Sequence, residues 1–365
     1  MKILVWQWGK RGAGPRVAVE MARGLGEFGD VEAALSLSTN AELLRGQGAP
    51  RCELPVPTYE TAAGFARRML AAPLLARRLA RQVARLGPDI ALCAMPGPLD
   101  LVMASALGRA GVPFAVVVHD ADSHPGDGLP FQMRLQRALM DRADGLVALS
   151  THVAERLRAQ GAVRGRPLLR SALPPLGFGP APPALAHGGA LRLLSFGRLL
   201  PYKGLDLLSA ALESFSKGSG LRPDLEVRVA GSGPESPVLA RLRALPGVQV
   251  ENRWVPEAEL GALIAWSDAL VLPYREASQS GVAAAAIAAR RWVVATRVGG
   301  IAEQLAGEAL AILCEPTESG VAGGLRRLLT EARQLPPGTA DPDAAWRLSA
   351  ERLVADLRSL AQAKR

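Results

Sequence analysis

Cysteine is scarce in this 365-residue chain: Cys52, Cys93 and Cys314 are odd in number, widely spaced and unaccompanied by histidine clusters. Neither a disulfide framework nor a zinc site is indicated, and a reducing compartment fits best. Long apolar runs are lacking as well. No stretch reaches the roughly 20 apolar residues that a spanning helix needs, and the opening MKILVWQWGKRGAGPR has too short an apolar run for a secretion signal. A cytoplasmic protein is expected. Internal repeats and low-complexity tracts are absent apart from alanine-rich helices.

What the chain does have is an ordinary globular balance, with 49% hydrophobic and 21% charged residues. Its length exceeds the usual size of one core, so two domains of roughly 150 to 200 residues are expected. The net charge of +9 is uneven: residues up to Ala186 carry 22 basic against 15 acidic side chains, the remainder 21 against 19. Most basic residues are arginine, which carries no functional signal by itself, whereas the asymmetry between the halves does. No nucleic-acid partner is expected.

The order of patterns is more telling. KILVWQW, GKRGAGP and VAVEMARGLGEFGDVEAALSLS read as strand, glycine turn, helix and strand. DIALCAMPG, PFAVVVHDA and GLVALS continue as short apolar strands of the kind buried on both faces of a parallel sheet. Near Leu173 to Gly189 proline and glycine crowd together as a linker, and the rhythm restarts with LRLLSFGRL, LEVRVAGSG, VQVENRWV, ALVLPY, WVVATRVGG and ALAILCEP. The expected fold class is α/β, with two doubly wound Rossmann-like domains facing across a cleft, residues 1–175 and residues 190–340, and a C-terminal helix over 341–365 expected to return to the first domain. In such sheets ligands sit beyond the carboxyl ends of the strands.

Four clusters carry chemistry. GRLLPYKG ends a strand and opens a helix, placing Arg198 and Lys203 five residues apart, which suits a diphosphate: arginine forks across phosphate oxygens and lysine adds a point charge. Two solvated surface cations would give the same letters. PYREASQSG sets Glu276, Ser278, Gln279, Ser280 and Gly281 between a strand and the helix VAAAAIAA, where N–H groups without internal partners can meet a sugar or phosphate. In the first half, Gly9, Gly12, Ala13 and Gly14 form a small-residue turn around Lys10, and His119 ends a strand ahead of Asp120, Asp122 and His124. That last cluster reads equally as turn polarity capping a helix. LLARRLARQVARLGP places Arg77, Arg78, Arg81 and Arg85 on one helical side and leucines on the other. A surface helix docked by its leucines and a helix attached to anionic lipid both fit that pattern.

GRLLPYKG, VAGSGPE, SDALVLPYRE and VVATRVGGIAE follow one another in an order that resembles the C-terminal domain of GT-B glycosyltransferases of family GT4. The glycine turn, the strand-ending histidine and RADGLVALSTHVAERL resemble the N-terminal domain less specifically. The resemblance implies a retaining, metal-independent transferase without a cofactor, taking a UDP- or GDP-linked sugar on the C-terminal domain and a glycan, lipid-linked or small acceptor on the N-terminal one. It implies polysaccharide or glycoconjugate synthesis, in the cytoplasm or at the inner face of the membrane. Arg198 and Lys203 match the diphosphate pair, Glu276 the glutamate that contacts donor-sugar hydroxyls, and Arg253, Trp254 and Val255 the nucleobase region. His119, with Asp120 and Lys10, falls on the acceptor side. One departure stands out: the second glutamate of the family's E-x7-E pattern, which holds ribose hydroxyls, is Ala284 here. A nucleotide-sugar sensor without activity and a nucleotide-sugar epimerase are the alternatives.

Overall fold

The computed structural model describes the whole chain except residues 46–47, 125, 127–130, 187–188, 218–224, 333–338 and 365. Two compact units divide it. One contains Met1–Ser123, Gly128–Ala172 and Asp343–Arg365; the other contains His124–Asp127 and Leu173–Pro342.

The first unit is built on strands β1 (Lys2–Gln7), β2 (Glu32–Leu37), β3 (Ile90–Cys93), β4 (Phe114–Val118), β5 (Gly145–Ala148) and β6 (Leu168–Arg170). They pair in the order β2-β1-β3-β4-β5-β6, every neighbour parallel. β3, β4 and β5 are buried along their whole length, which is why they read as unbroken apolar runs rather than alternating ones. β6 has no counterpart in the sequence pattern, because three residues are too short to show a period of two.

The helix Ala72–Leu86 docks on this unit through buried Ala76, Leu79 and Val83 and turns Arg77, Arg78, Arg81 and Arg85 outward. The long helix Pro342–Ala363 also packs here, burying Trp346, Leu353, Leu357 and Leu360. Ion pairs Arg23–Asp343, Arg358–Asp30 and Lys364–Asp144 hold it along its length.

The second unit repeats the plan with β7 (Leu191–Phe196), β8 (Leu225–Gly231), β9 (Val248–Asn252), β10 (Ala269–Leu272), β11 (Trp292–Thr296) and β12 (Ala311–Cys314). Their order is β12-β11-β10-β7-β8-β9, again parallel throughout. The doubly wound α/β expectation therefore holds for both halves.

The order in which strands are added reverses between β7 and β10, parallel neighbours in the sheet but far apart in sequence, so their helical connections leave on opposite faces. The crevice at such a switch point is where open α/β sheets bind ligands. GRLLPYKG follows β7 and PYREASQSG follows β10, so the topology sets these two segments side by side. In the first unit the equivalent point lies between β1 and β3.

Candidate active site

The segment after β7 runs through the short turn Pro201–Lys203 into the helix Leu205–Lys217. Its backbone is stitched to the end of β8 and the loop beyond it by Gly197 N–H donating to Ala230 O at 3.0 Å and Leu199 N–H donating to Ser232 O at 2.9 Å. Gly231 is required there: a Cβ would sit 1.6 Å from the Gly197 carbonyl oxygen. The segment is joined to the loop after β10 by Arg275 N–H donating to Tyr202 O at 2.8 Å and by the ion pair Arg275–Asp206. Three loops at the carboxyl end of the sheet thus form one platform.

Arg198 is exposed on that platform and Lys203 partly buried. The Lys203 ammonium lies 3.8 Å from the Tyr274 ring centroid and 5.0 Å from that of Tyr202, while the Arg198 guanidinium lies 5.9 Å from Tyr202. Charge marks the two cations in the sequence; nothing there marks Tyr274, because its contact with Lys203 joins loops some seventy residues apart in chain order. His124, which packs with this unit, stacks on Tyr202 with centroids 4.7 Å apart and brings Nδ1 to 3.5 Å from Glu276 Oε1. Glu276 therefore stands next to the aromatic and cationic group, about half-exposed along its side chain.

The rest of the β10 loop is braced from within. Ser280 caps the helix Gly281–Ala288, its Oγ accepting from Ala283 N–H at 3.2 Å. Its N–H donates to Gln304 Oε1 at 2.8 Å, and Gln304 Nε2 returns a bond to Ser280 O at 3.0 Å. Ser280 is thus committed to the fold; Ser278 is buried and Gln279 partly buried beside it. Ala284 is fully buried, and its carbonyl accepts from Leu176 N–H at 3.1 Å. The position that the family pattern gives to glutamate is here closed over by protein.

After β9, Arg253 is exposed and engaged with two carboxylates, at 3.0 Å to Glu251 and 2.6 Å to Glu259, with Trp254 and Val255 partly buried next to it. Asn252 ties this loop to the one after β8, accepting from Gly233 N–H at 3.0 Å and donating to Gly233 O at 3.1 Å.

In the first unit, Gly12 and Ala13 are exposed at the start of the helix Ala13–Gly26. Gly14 is buried, and a Cβ on it or on Gly9 would stand 2.8 Å from Gln7 Nε2. Gln7 also accepts from Gly9 N–H at 2.8 Å. Two of the small residues in this turn thus pack against the end of the Gln7 side chain. Lys10 donates to Glu60 O at 3.3 Å and lies 5.5 Å from the Tyr59 ring centroid.

His119 is buried at the end of β4, with Nε2 2.9 Å from Ala94 O. Burial holds its pKa below the usual histidine range, so the ring is neutral near pH 7 and Nε2 carries the proton given to that carbonyl. Asp120 is partly buried, and its carbonyl accepts from Gln136 Nε2 at 2.6 Å. Asp122 accepts a two-point contact from Arg156 at 2.8 and 2.9 Å, which lowers its pKa. The four titratable groups of the sequence cluster accordingly separate into different surroundings.

Asp100, unmarked by any motif, is buried at the start of the helix Asp100–Ala110, where it accepts from Gly97 N–H at 2.7 Å; desolvation pushes its carboxyl up to about 7. Among the described residues no three His, Cys, Asp or Glu side chains gather as a metal site.

Residues 190–331 match the family model described as glycosyl transferases group 1, and residues 11–170 match the glycosyl transferase 4-like domain. The chain belongs to the group 1 glycosyltransferases, family GT4. Sucrose-phosphate synthase from Thermosynechococcus elongatus superposes on this glycosyltransferase with a TM-score of 0.66 at 14% identity, over 99% of this chain and 96% of the other. Anabaena HepE in complex with UDP and glucose gives 0.66 at 17% identity, over 99% and 97%. UDP-GlcNAc 2-epimerase from Neisseria meningitidis bound to UDP-GlcNAc gives 0.59 at 10% identity, over 98% and 100%. These identities speak for the GT-B fold and no further. No curated protein matches the sequence.

Proposed function

We propose that this glycosyltransferase moves a sugar from a nucleotide-sugar donor, with retention of anomeric configuration and without a metal ion, to a glycan, lipid-linked or small acceptor in glycoconjugate synthesis. The observation that carries the reading is the platform at the β7–β10 switch point, where Arg198, Lys203 and Glu276 stand together. Arg198 and Lys203 would neutralise the diphosphate as the glycosidic bond breaks, stabilising charge that develops only in the transition state. Glu276 would accept from donor-sugar hydroxyls. The leaving phosphate would take the acceptor proton, with neutral His119 orienting or polarising rather than serving as an obligatory base.

UDP is the nucleotide named with HepE, and it is the first donor nucleotide to test. Calorimetric titration of UDP, GDP and ADP, followed by donor hydrolysis and transfer assays over a sugar panel, addresses nucleotide and sugar together. Binding of none of the three removes the donor-site reading; tight binding with neither hydrolysis nor transfer favours a sensor. The epimerase among the similar structures supports a second reading. A changed nucleotide sugar formed without any acceptor would establish it in place of transfer.

The arginine-bearing face of the first unit supports attachment to an anionic membrane surface. Leu70 and Leu74 are 85% and 68% exposed, at the junction of the helices Ala62–Leu70 and Ala72–Leu86, close in sequence to Arg77, Arg78, Arg81 and Arg85. Among the described residues no helix is long and apolar enough to cross a membrane. Flotation with anionic liposomes, weakening as salt is raised and absent with neutral lipid, is the expected result. Equal flotation with neutral lipid, or none at all, leaves the helix as packing alone.

A further inference from the structure

We infer that Tyr274 is a positioning residue for Lys203, its ring seating the ammonium so that an uncancelled positive charge is presented to a diphosphate. The inference rests on the diphosphate reading of Lys203. Tyr274 and Tyr202 are both buried, at 2% and 4% exposure, and the Lys203 Nζ lies 3.8 Å from the first ring centroid and 5.0 Å from the second.

How neighbouring cations are held makes the contrast. Arg275 is paired with Asp206, and Arg253 with Glu251 and Glu259. A carboxylate fixes a cation but offsets much of the attraction it offers to a phosphate. Lys203 pairs with no carboxylate among the described residues, and two ring faces stand where such a partner would be. A ring quadrupole attracts an ammonium without carrying net charge, so the ion is fixed in place while its field remains available. A lysine stem has four rotatable carbons, and a cation already placed loses less freedom when the ligand arrives.

Both rings are themselves anchored through the backbone. Tyr202 O accepts from Arg275 N–H, and Tyr274 O accepts from Thr296 Oγ1. The Tyr274 hydroxyl is buried with no hydrogen-bond partner among the described residues, so the ring face is its evident contact.

The test is calorimetry of the full-length chain with UDP, inorganic pyrophosphate and uridine as probes. Tyr274→Leu is expected to weaken UDP and pyrophosphate about tenfold, the scale of a desolvated cation–π contact, while uridine binding stays unchanged. Tyr274→Phe is expected to restore the affinity lost in the leucine variant, since it keeps the ring. Equal weakening of all three probes by Tyr274→Leu would indicate general damage to the site and overturn the inference. Failure of Tyr274→Phe to rescue would show that the hydroxyl matters, which also overturns it. Tyr274→Met, which fills similar volume without a ring, repeats the comparison should the leucine variant not fold, with melting curves confirming a folded protein. Lys203→Ala separates the two readings. If it weakens UDP and Tyr274→Leu does not, the positioning role alone fails; if Lys203→Ala binds UDP normally, the diphosphate reading fails and takes the inference with it.

Discussion

Arg198→Ala and Lys203→Ala are each expected to lower the turnover of sugar transfer about a hundredfold, leaving the melting temperature nearly unchanged. The size follows from the task assigned to these residues. Losing roughly 3 kcal/mol of charge stabilisation on a leaving diphosphate corresponds to about two decades in rate. The stability expectation follows from their surroundings. Arg198 is exposed, and Lys203 reaches over tyrosine rings that keep their own backbone anchors, so removal of either charge leaves the hydrogen bonds of the platform in place. Steady-state kinetics at saturating donor, alongside thermal unfolding of each purified variant, makes the comparison. Near-normal turnover in both variants would remove the diphosphate assignment. A large fall in melting temperature would instead show that the cations hold the platform together.

The two sheets were legible because parallel strands buried on both faces write themselves as apolar runs, as in Phe114–Val118 and Trp292–Thr296. β6 was not, being only three residues long and partly exposed. Arg198, Lys203 and Glu276 could be picked out by charge type and motif order. Their setting could not, because the Tyr274 contact with Lys203 joins segments brought together only by strand order, and the His124 contact with Glu276 joins residues far apart in the chain. Ser280 shows the opposite limit: a hydroxyl at a helix start fits both ligand binding and capping, and here its oxygen caps the helix. Gly9 and Gly14 look like a cradle for a ligand, yet the end of the Gln7 side chain packs against both. Sequence names residue types at a strand's end; packing decides which of their polar atoms remain for a ligand.

Gly204→Ala should rank with Gly231→Ala among the most damaging single methyls in the second unit. Gly204 ends the turn Pro201–Lys203 with φ of 64°, a left-handed conformation that a side chain strains, and an added Cβ would lie 1.9 Å from the Pro273 carbonyl oxygen. The steric conflict is with backbone on both sides, so rotation of a flexible side chain cannot relieve it. Either the β7 segment or the β10 segment must move, and the bond from Arg275 N–H to Tyr202 O spans that same gap. The expected cost is about 3 kcal/mol or more, a fall in melting temperature on the order of 10 °C for a unit of this size. Gly177→Ala is the control: no atom lies within 4 Å of its added Cβ, and its effect should stay within about 0.5 kcal/mol. Any folded Gly204→Ala protein should also bind nucleoside diphosphate weakly, because parting the two segments draws Lys203 off the Tyr274 ring. Unchanged melting in this variant would mean that the loops after β7 and β10 are not locked together at Gly204. The glycine that closes GRLLPYKG therefore has a different task from the cations before it, holding together the two chain segments that form the platform.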